Sequence, residues 1–428
     1  MDTKQLYNEY MITSMVAGFE PVVVEQASGC TMTGADGKEY LDCFSGIAVV
    51  NAGHGHPKVI AAAKEQMDKL IHCCTYVYYT PPAARLAERL SGLCPGALQK
   101  SFFGNSGAEA VEGAMRLAKQ FTGRKEVVCL THSFHGRTVG TLSITGNRGR
   151  KKGSGPYLSG VAFAPAPHCY RCPFKLQYPS CGAACAHYLE DVLRYQTAGD
   201  VAAFIAEPVM GEGGIIVPPP EYFKIASKII RDYGALFIAD EVQSGFGRTG
   251  KLFAIEHYGV EPDIMCMAKG IADGFPVSAF MARGDIAEAF TPGDHLSTFG
   301  GNPVSCAAAM ANIDVLLDEK LCENSAQRGE QLLTRLRNFQ ENCSLVGDVR
   351  GKGLMIGVEL VRDAAKTPAD EEARKVRTLC REAGVLVGVG GSLGNVVRLQ
   401  PPLVLTSEQA DRAANTLEKA ISYVFGGR

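Results

Sequence analysis

The sequence predicts an α/β fold with a mostly parallel sheet, followed by a smaller α+β domain. Between about residue 55 and residue 310, apolar runs of strand length alternate with amphipathic segments of helix length. The runs are apolar on both faces, which is typical of parallel strands covered by helices on both sides. After about residue 310, long amphipathic helices flank short strands instead, and this change of pattern predicts a second domain.

The domain boundaries are expected where these patterns change. Residues 1–55 contain short strand signals and turns, and we expect them to pack with the small domain. Residues 56–310 are expected to form the large domain, and residues 311–428 the small C-terminal one. Segment 149–186 is rich in Pro, Gly and Cys, and we expect it to leave the sheet as an irregular excursion.

Individual elements follow from periodicity and from turn residues. Strands of the large domain are predicted at 127–130, 203–205, 236–239 and 264–267, and its helices at 59–71, 83–93, 108–121 and 220–233. The small domain is predicted to contain helices at 324–340, 370–383 and 407–423, with strands at 354–360 and 385–387. In such parallel sheets, ligands bind at the carboxyl ends of the strands.

Composition narrows the classes of protein to consider. The 428 residues are 46% apolar and 21% charged, which is ordinary for a globular protein. The formal net charge of −2 argues against non-specific binding to nucleic acid or to anionic membranes. The sequence has no apolar run of membrane-spanning length and no signal-peptide pattern at its start. Together with 15 cysteines, these features predict a cytoplasmic protein with reduced thiols.

Two charged residues end apolar strands of the large domain. Asp240 follows the apolar run 235–239, and Lys269 follows the run 264–268. A charge at the end of a buried strand is costly unless a partner or a reaction uses it. A lysine that condenses with an aldehyde and a carboxylate that holds a pyridinium nitrogen are what pyridoxal 5′-phosphate requires. The alternative is a structural salt bridge or two solvated strand ends.

A glycine-containing turn, GNSGAEA at 104–110, opens the helix predicted at 108–121. The free backbone N–H groups and the positive dipole at such a helix start can hold a phosphate. Ser106, Gly107 and Ala108 are therefore candidate phosphate ligands. A plain helix N-cap is the alternative, since Ser, Asn and Gly are all common there.

The loop SFHGRT, at 133–138, follows the strand predicted at 127–130. Phe134 can stack on a planar ring, His135 is polar, and Arg137 offers a fork for a carboxylate. The alternative is a loop with a satisfied histidine and an exposed arginine.

Two glutamates and a distant arginine suggest a switch. Glu207 and Glu212 lie in AEPVMGEGG at 206–214, and Arg398 lies in NVVRLQPP of the second domain. A glutamate and an arginine from different domains can pair without substrate and separate when a substrate carboxylate arrives. A fixed salt bridge between the domains is the alternative.

Two glycine-rich motifs are weaker signals. GFGRTG at 245–250 has dinucleotide-binding spacing, but no strand leads into its first glycine and no helix begins at its third. We interpret it as an active-site turn, and a nicotinamide oxidoreductase is the less favoured alternative. In STFGGNP at 297–303, the Thr298 hydroxyl could reach a phosphate across a subunit boundary.

Taken in order, these segments resemble the class III (subgroup II) pyridoxal-phosphate-dependent aminotransferases of fold type I. The resemblance extends from GIAVVNAGHGHP at 46–57 to RLQPPLVLT at 398–406. It rests on ADEVQSGFGRTG at 239–250, on the lysine 29 positions after Asp240, and on TFGGNP at 298–303. It implies a large domain with a mainly parallel seven-stranded sheet, a small α+β domain, and a homodimer with active sites at the interface. Dimers that pair into tetramers remain an open alternative.

The resemblance also implies roles for individual residues. Lys269 is implied as the Schiff-base lysine and proton shuttle, Asp240 as the partner of the pyridinium nitrogen, and Gln243 as the partner of the ring's phenolic oxygen. Val242 and Phe134 are implied on opposite faces of the ring. The implied cofactor site contains Ser106, Gly107, Ala108, Phe134, His135, Glu207, Asp240, Val242, Gln243, Lys269 and, from the partner subunit, Thr298.

The implied substrate site consists of Ile47, Arg137, Glu212 and Arg398, as in the 4-aminobutyrate and ornithine/acetylornithine aminotransferases. In those groups the arginine after "HG" binds the distal carboxylate. The glutamate–arginine pair closes for an ω-amine donor and opens for the α-carboxylate of glutamate or 2-oxoglutarate. GAEAVEGA at 107–114 and CYRCPF at 169–174 favour the 4-aminobutyrate group, while Met210, where relatives commonly carry Gln, is a departure.

We therefore predict an aminotransferase that moves the amino group of an ω-amino acid, similar to 4-aminobutyrate, to 2-oxoglutarate by a ping-pong mechanism. An ornithine/acetylornithine-type or other ω-amine aminotransferase is one alternative. A racemase or epimerase is another, since such enzymes occur in the family and need the same lysine and aspartate.

Four cysteines in the irregular segment have the spacing C-x2-C-x8-C-x3-C: Cys169, Cys172, Cys181 and Cys185. The spacing could hold zinc or an iron–sulfur cluster, with His168 and His187 nearby. Four reduced thiols near a dimer interface are the alternative, and no metal is included in the predicted site.

Overall fold

The computed structural model describes residues 2–12 and 19–426. The strands are β1 (Val24–Ser28), β2 (Thr31–Gly34), β3 (Glu39–Asp42), β4 (Leu98–Gly104), β5 (Glu126–Leu130), β6 (Val161–Ala164), β7 (Val201–Ala206), β8 (Leu236–Asp240), β9 (Ile264–Met267), β10 (Ser278–Arg283), β11 (Val346–Lys352), β12 (Met355–Leu360), β13 (Val385–Leu386), β14 (Gly388–Gly390) and β15 (Val396–Leu399).

The α-helices are α1 (Thr3–Tyr10), α2 (Ser45–Ala48), α3 (Pro57–Lys69), α4 (Pro81–Leu93), α5 (Gly107–Thr122), α6 (Val139–Ser143), α7 (Arg148–Lys151), α8 (Ala184–Tyr195), α9 (Tyr222–Asp232), α10 (Gly284–Ala287), α11 (Pro303–Asp318), α12 (Leu321–Gln340), α13 (Asp370–Glu382) and α14 (Ser407–Gly426). None of the described helices combines the length and apolarity that a membrane crossing requires.

The large sheet has seven strands in the order β4-β10-β9-β8-β7-β5-β6. Strand β10 is antiparallel to both of its neighbours, and the remaining pairs are parallel. Both faces are buried: Val127 and Cys129 of β5 pack into one apolar cluster, whereas Val128 and Leu130 pack into another. This two-sided burial explains the apolar strands without alternation, and it confirms the predicted α/β class with a mainly parallel seven-stranded sheet.

Two four-stranded sheets complete the structure, with the orders β1-β2-β3-β13 and β11-β12-β15-β14. In the first of these, β13 pairs in parallel with β3, with Val385 opposite Leu41 and Leu386 opposite Asp42. The first strands of the chain are thereby hydrogen-bonded to a strand near its end. The domain division at residues 55 and 310 stays a prediction.

One expectation about segment 149–186 is wrong. The segment was expected to lie outside the sheet, but it contains β6, which pairs in parallel with β5 at the edge of the large sheet. The run VAFA is only four residues long and lies between stretches rich in Gly and Pro. Such a short run has too little periodic signal to be separated from a loop, so its pairing depends on the neighbouring strand.

Candidate active site

The carboxyl ends of β8 and β9 open into a cavity of about 670 Å³. Asp240 is the last residue of β8, and Lys269 begins a short 3₁₀ turn just after β9. The predicted residues that line this cavity are Ser106, Gly107, Ala108, Phe134, His135, Arg137, Glu207, Asp240, Val242, Gln243 and Lys269. Ser106 and Lys269, which are 163 positions apart in the chain, therefore line one cavity because parallel strands end at one edge of the sheet.

Lys269 lies on the cavity wall with a left-handed backbone, at φ = 43°. This conformation is uncommon for a residue with a side chain, and strain of this kind concentrates at functional sites. Burial lowers the pKa of the amine, and the negative charges of Asp240, Glu212 and Glu207 only partly oppose the effect. The neutral, nucleophilic amine is consequently more accessible than in a free lysine.

Asp240 is held from two sides. Its Oδ2 lies 2.6 Å from Nδ1 of the buried His135, and its Oδ1 accepts the Val242 N–H at 3.1 Å. Burial alone would lower the pKa of His135, but the hydrogen bond and charge of Asp240, together with Glu207, raise it above its ordinary value. A protonated His135 thus stabilises the ionised carboxylate and fixes its orientation. His135 therefore contacts Asp240, and the position of His135 in the sequence did not reveal this contact.

The start of α5 forms another wall of the cavity. Ser106 is the N-cap, and its Oγ accepts the Glu109 N–H at 3.2 Å, as the simple capping interpretation expected. Gly107 and Ala108 line the cavity, where the first N–H groups of a helix have no intrahelical acceptor. A Cβ at position 107 would lie 2.7 Å from Cγ1 of Val242, so only glycine allows this close approach.

Glu207 is buried, and both of its carboxylate oxygens accept hydrogen bonds from backbone N–H groups. Its Oε1 accepts the Phe134 N–H at 2.9 Å, and its Oε2 accepts the Gly211 N–H at 3.0 Å. Burial raises the pKa of Glu207 to about 7, against the opposing charge of His135. These contacts fix the loop that carries Phe134 at the cavity. Gln243 accepts a hydrogen bond from the Gln400 side chain at 3.1 Å, which ties the cavity wall to the segment after β15.

Glu212 and Arg398, which the sequence places 186 positions apart, form a buried ion pair with Nη1 and Oε1 separated by 2.6 Å. The structure adds a residue that the sequence did not single out: Arg150 Nη2 lies 2.6 Å from Oε2 of the same glutamate. Burial would raise the pKa of Glu212, but Arg398 foremost, then Arg150 and Lys269, lower it to about 2. Arg150 lies in the basic run RGRKK, where nothing local distinguishes it from its neighbours.

Arg137 is exposed at the mouth of the cavity. Its guanidinium carbon lies 5.6 Å from the centroid of the Phe134 ring. Among the residues that the structure describes, it has no ion-pair partner. It is thus a cation available to a ligand.

Two predicted residues do not line the cavity within this chain. Ile47 is 42% exposed, at φ = 72° within the left-handed turn of α2, and Val49 lines the cavity instead. Thr298 is exposed in the turn before α11. Their roles stay predictions.

The four cysteines of segment 149–186 line one small cavity next to His168. All are free thiols. Among the described residues, no group of three or more His, Cys, Asp or Glu side chains is arranged to hold a metal ion. Metal binding by these cysteines stays untested.

Comparison with known families shows which class of protein the chain belongs to. A family model described as "Aminotransferase class-III" matches residues 14–421. The chain belongs to the class III aminotransferases. It is accordingly an enzyme that depends on pyridoxal 5′-phosphate, hereafter PLP, as the resemblance implied.

Several relatives of this class III enzyme match along nearly their whole length. It is 43% identical over 403 residues to an acetylornithine aminotransferase of Methanothermobacter thermautotrophicus, covering 94% of both chains. It is 41% identical over 413 residues to a leucine/methionine racemase of Thermococcus litoralis, covering 96% of this chain and 93% of the relative. It is 37% identical over 412 residues to a 5-aminovalerate aminotransferase of Pseudomonas putida, covering 96% and 95%.

Solved structures agree with the fold of this class III enzyme. An amine transaminase from an uncultivated Pseudomonas species, solved in a PLP-bound form, superimposes with a TM-score of 0.90 at 35% identity. The match covers 97% of this chain and 98% of the other. This similarity confirms the predicted fold type I architecture.

Proposed function

We propose that the protein transfers the amino group of an ω-amino acid, similar to 4-aminobutyrate, to 2-oxoglutarate. The products are a semialdehyde and glutamate. The observation that carries the proposal is the buried Glu212–Arg398 pair at 2.6 Å, beside a cavity whose Arg137 has no ion-pair partner in the described chain. An ω-amino acid presents one carboxylate, far from its amine, whereas 2-oxoglutarate presents two. Arg137, which has no ion-pair partner in the described chain, matches the carboxylate that both substrates carry. Arg398, which is paired with Glu212, matches the second carboxylate, which only 2-oxoglutarate carries.

The cavity's groups fit PLP. The lowered pKa of Lys269 suits condensation with the cofactor's aldehyde, and Asp240, backed by His135, suits the ring nitrogen. Gly107 and Ala108 at the start of α5 suit the phosphate, and Phe134 and Val242 suit the two ring faces. Ser106, Glu207 and Gln243 complete this set. When bound, PLP supplies an electron sink and carries the amino group between the two half-reactions.

In the reaction, Arg137 binds the distal carboxylate of the donor and orients the amine toward Lys269. The Lys269 Nζ acts as general base and takes a proton from the donor carbon that bears the amine. In the second half-reaction it acts as general acid and gives a proton to the corresponding carbon of the acceptor. During the first half-reaction Glu212 stays paired with Arg398, so Arg398 is not available to bind a substrate carboxylate. Arg398 binds the α-carboxylate of 2-oxoglutarate in the second, and Ile47 flanks the substrate.

We also propose a homodimer. Thr298 is exposed and lies away from the cavity of its own chain, which suits a role at the phosphate of a second subunit. Exposed apolar residues nearby, Leu296 and Phe299, suit burial against that subunit.

A second candidate is racemisation of an amino acid, since one relative at 41% identity is a leucine/methionine racemase. Racemisation uses the same lysine and PLP but needs no dicarboxylate. An ornithine- or acetylornithine-type donor is supported by the relative at 43% identity. The retained Glu212–Arg398 pair favours transamination over racemisation.

The test is the visible spectrum of the PLP-loaded enzyme. We expect 4-aminobutyrate, 5-aminovalerate or ornithine to bleach its absorption band, and subsequent 2-oxoglutarate to restore it. Bleaching only by α-amino acids, with loss of their optical activity, would replace the proposal with racemisation. The Lys269→Ala variant is the control, and turnover by it would contradict the assignment of the lysine.

Substitution of Arg137 tests donor recognition. In Arg137→Gln we expect kcat/KM for 4-aminobutyrate to fall about 10- to 100-fold, because a charge-assisted fork contributes about 1.5–3 kcal/mol. Butylamine, which lacks the carboxylate, should react equally with both enzymes. Arg137→Lys, which keeps the charge without the fork, should be intermediate. An equal loss for butylamine would contradict the role in donor recognition.

A further inference from the structure

Glu212 has two arginine partners, which bind different oxygens. Arg398 of β15 donates to Oε1 and Arg150 of α7 donates to Oε2, each at 2.6 Å. The side chains are 4%, 12% and 10% exposed for Arg398, Arg150 and Glu212 respectively. Two buried cations therefore share a single carboxylate.

This arrangement bears directly on the proposed switch. When Arg398 leaves Glu212 for a substrate carboxylate, a glutamate without a second partner would remain as an isolated buried charge, which is strongly unfavourable. Because Arg150 stays bound to Glu212, the glutamate keeps one partner after Arg398 has moved away. Arg150 also repels Arg398 while both are at Glu212, and it divides the attraction of the carboxylate between two partners. Both effects weaken the closed pair relative to the open one.

We propose that Arg150 is a positioning residue that holds Glu212 in place while Arg398 moves to the α-carboxylate of the acceptor. This inference rests on the proposed function, and it assigns to the enzyme a substrate switch with three members. Arg150 sets the balance between the closed state, which accepts an ω-amino acid, and the open state, which accepts a 2-oxo dicarboxylate.

A direct role of Arg150 in binding the donor is less consistent with its contacts. Its Nη2 is committed to Glu212, and its guanidinium carbon lies 5.9 Å from the Phe134 centroid, on the ring that Arg137 also faces. Arg137 has no ion-pair partner in the described chain and is the cation available to the distal carboxylate.

The test measures the two half-reactions of the PLP-loaded enzyme separately, by single-turnover absorbance. In Arg150→Gln we expect the half-reaction with 4-aminobutyrate to stay within about 2-fold of wild type. We expect kcat/KM for 2-oxoglutarate to fall at least about 10-fold, mainly through KM, because opening leaves Glu212 unpaired. The dissociation constant of glutarate, an unreactive dicarboxylate, should rise by a similar factor.

Arg148→Gln is the matched control. Arg148 is exposed, lies two positions earlier in α7 and carries the same charge, so its loss should leave both half-reactions and glutarate binding unchanged. Arg150→Lys, which keeps a cation, should recover part of the loss. In a Glu212→Ala background, Arg150→Gln should have no further selective effect, because the group that it positions is absent.

An equal fall in both half-reactions, or no change in either, would overturn the proposal. A selective loss that persists in the Glu212→Ala background would overturn it as well, because Arg150 would then act on the acceptor directly. Failure of the wild type to react with any ω-amine would refute the proposed function alone. The glutarate comparison would still decide whether Arg150 controls dicarboxylate binding.

Discussion

Lys269 shows how one residue acquires its chemistry from its surroundings. Its position after β9 exposes the amine to the charges of three carboxylates, Asp240, Glu212 and Glu207, yet burial outweighs these charges and lowers the pKa of the amine. A left-handed backbone at φ = 43° turns the chain at this point into a short 3₁₀ turn. The sequence indicates the lysine, whereas the lowered pKa of its amine depends on its burial in the folded protein.

This pKa shift predicts the pH dependence of cofactor loading. Condensation with an aldehyde requires the neutral amine, so the rate of PLP incorporation into apoenzyme should rise with pH and reach half its maximum below 10.5, the ordinary lysine value. The appearance of visible absorbance after PLP is added provides the measurement. N-acetyl-lysine amide under the same conditions is the control, and an identical midpoint for the two would contradict the lowered pKa.

At the scale of elements, helix α5 shows how glycine sets packing distance. The helix crosses β10 at Gly113, where a Cβ would lie 2.2 Å from Cε1 of the buried Phe280. Phe280 is itself stacked on Phe102, with ring centroids 5.2 Å apart, so it has little freedom to move. Glycine in the middle of a helix is unfavourable for the isolated helix, but here it permits the helix to pack on the sheet.

A pair of matched substitutions tests this interpretation. Gly113→Ala should lower the free energy of unfolding by about 1–3 kcal/mol, because the added methyl overpacks a buried contact. Gly92→Ala, in α4, has no atom within 4 Å of the new Cβ and should raise it by about 0.5–1 kcal/mol. Thermal denaturation at one protein concentration compares them. A Gly113→Ala variant as stable as wild type would refute the close packing.

At the scale of the molecule, Arg248 of the GFGRTG motif joins separate parts of the chain. The guanidinium is fully buried and donates to the Leu354 and Pro401 carbonyls and to Oδ1 of Asn51. Burial lowers its pKa to about 9, although the charge of Asp42 opposes the effect. The motif that resembles a dinucleotide-binding loop is therefore a junction between the large sheet, the N-terminal segment and the C-terminal strands.

A partly buried carboxyl near this junction links stability to pH. Asp273 accepts the Ala52 N–H at 3.0 Å, and burial raises its pKa from 3.8 to about 7. A raised acid pKa means that the folded state binds a proton that the unfolded state releases, so its stabilising contribution is lost as pH rises from about 4 through about 7.

Asp273→Asn, which cannot ionise, should remove this dependence. We expect the Tm of the variant, relative to that of wild type, to rise by about 2 °C or more between pH 4 and pH 8. Thermal scans across this range measure the difference. A Tm difference that does not change with pH would mean that Asp273 does not titrate in this range.

Several features were predictable from the sequence because they are local or carried by motifs. The apolar strands β5, β7, β8 and β9 lie close to their predicted positions, since strands buried on both faces need uninterrupted apolar runs. The strand β6 was missed because four residues in a Gly- and Pro-rich segment form a strand only when a neighbour offers its edge. Helix ends shifted by a few residues, which reflects capping contacts that periodicity does not contain.

The sequence by itself determined the family and the α/β class and indicated the candidate reactive groups, because strand-end position and motif spacing are properties of the chain alone. Tertiary structure decided how those groups work. His135 meets Asp240 across 105 positions, and Glu212 meets Arg150 across 62 and Arg398 across 186. Such contacts depend on which strand ends become neighbours in the folded sheet, and their pKa shifts depend on the burial that folding creates. The basic run 148–152, which looks uniform in sequence, thereby contains one arginine, Arg150, with a buried partner at the candidate active site.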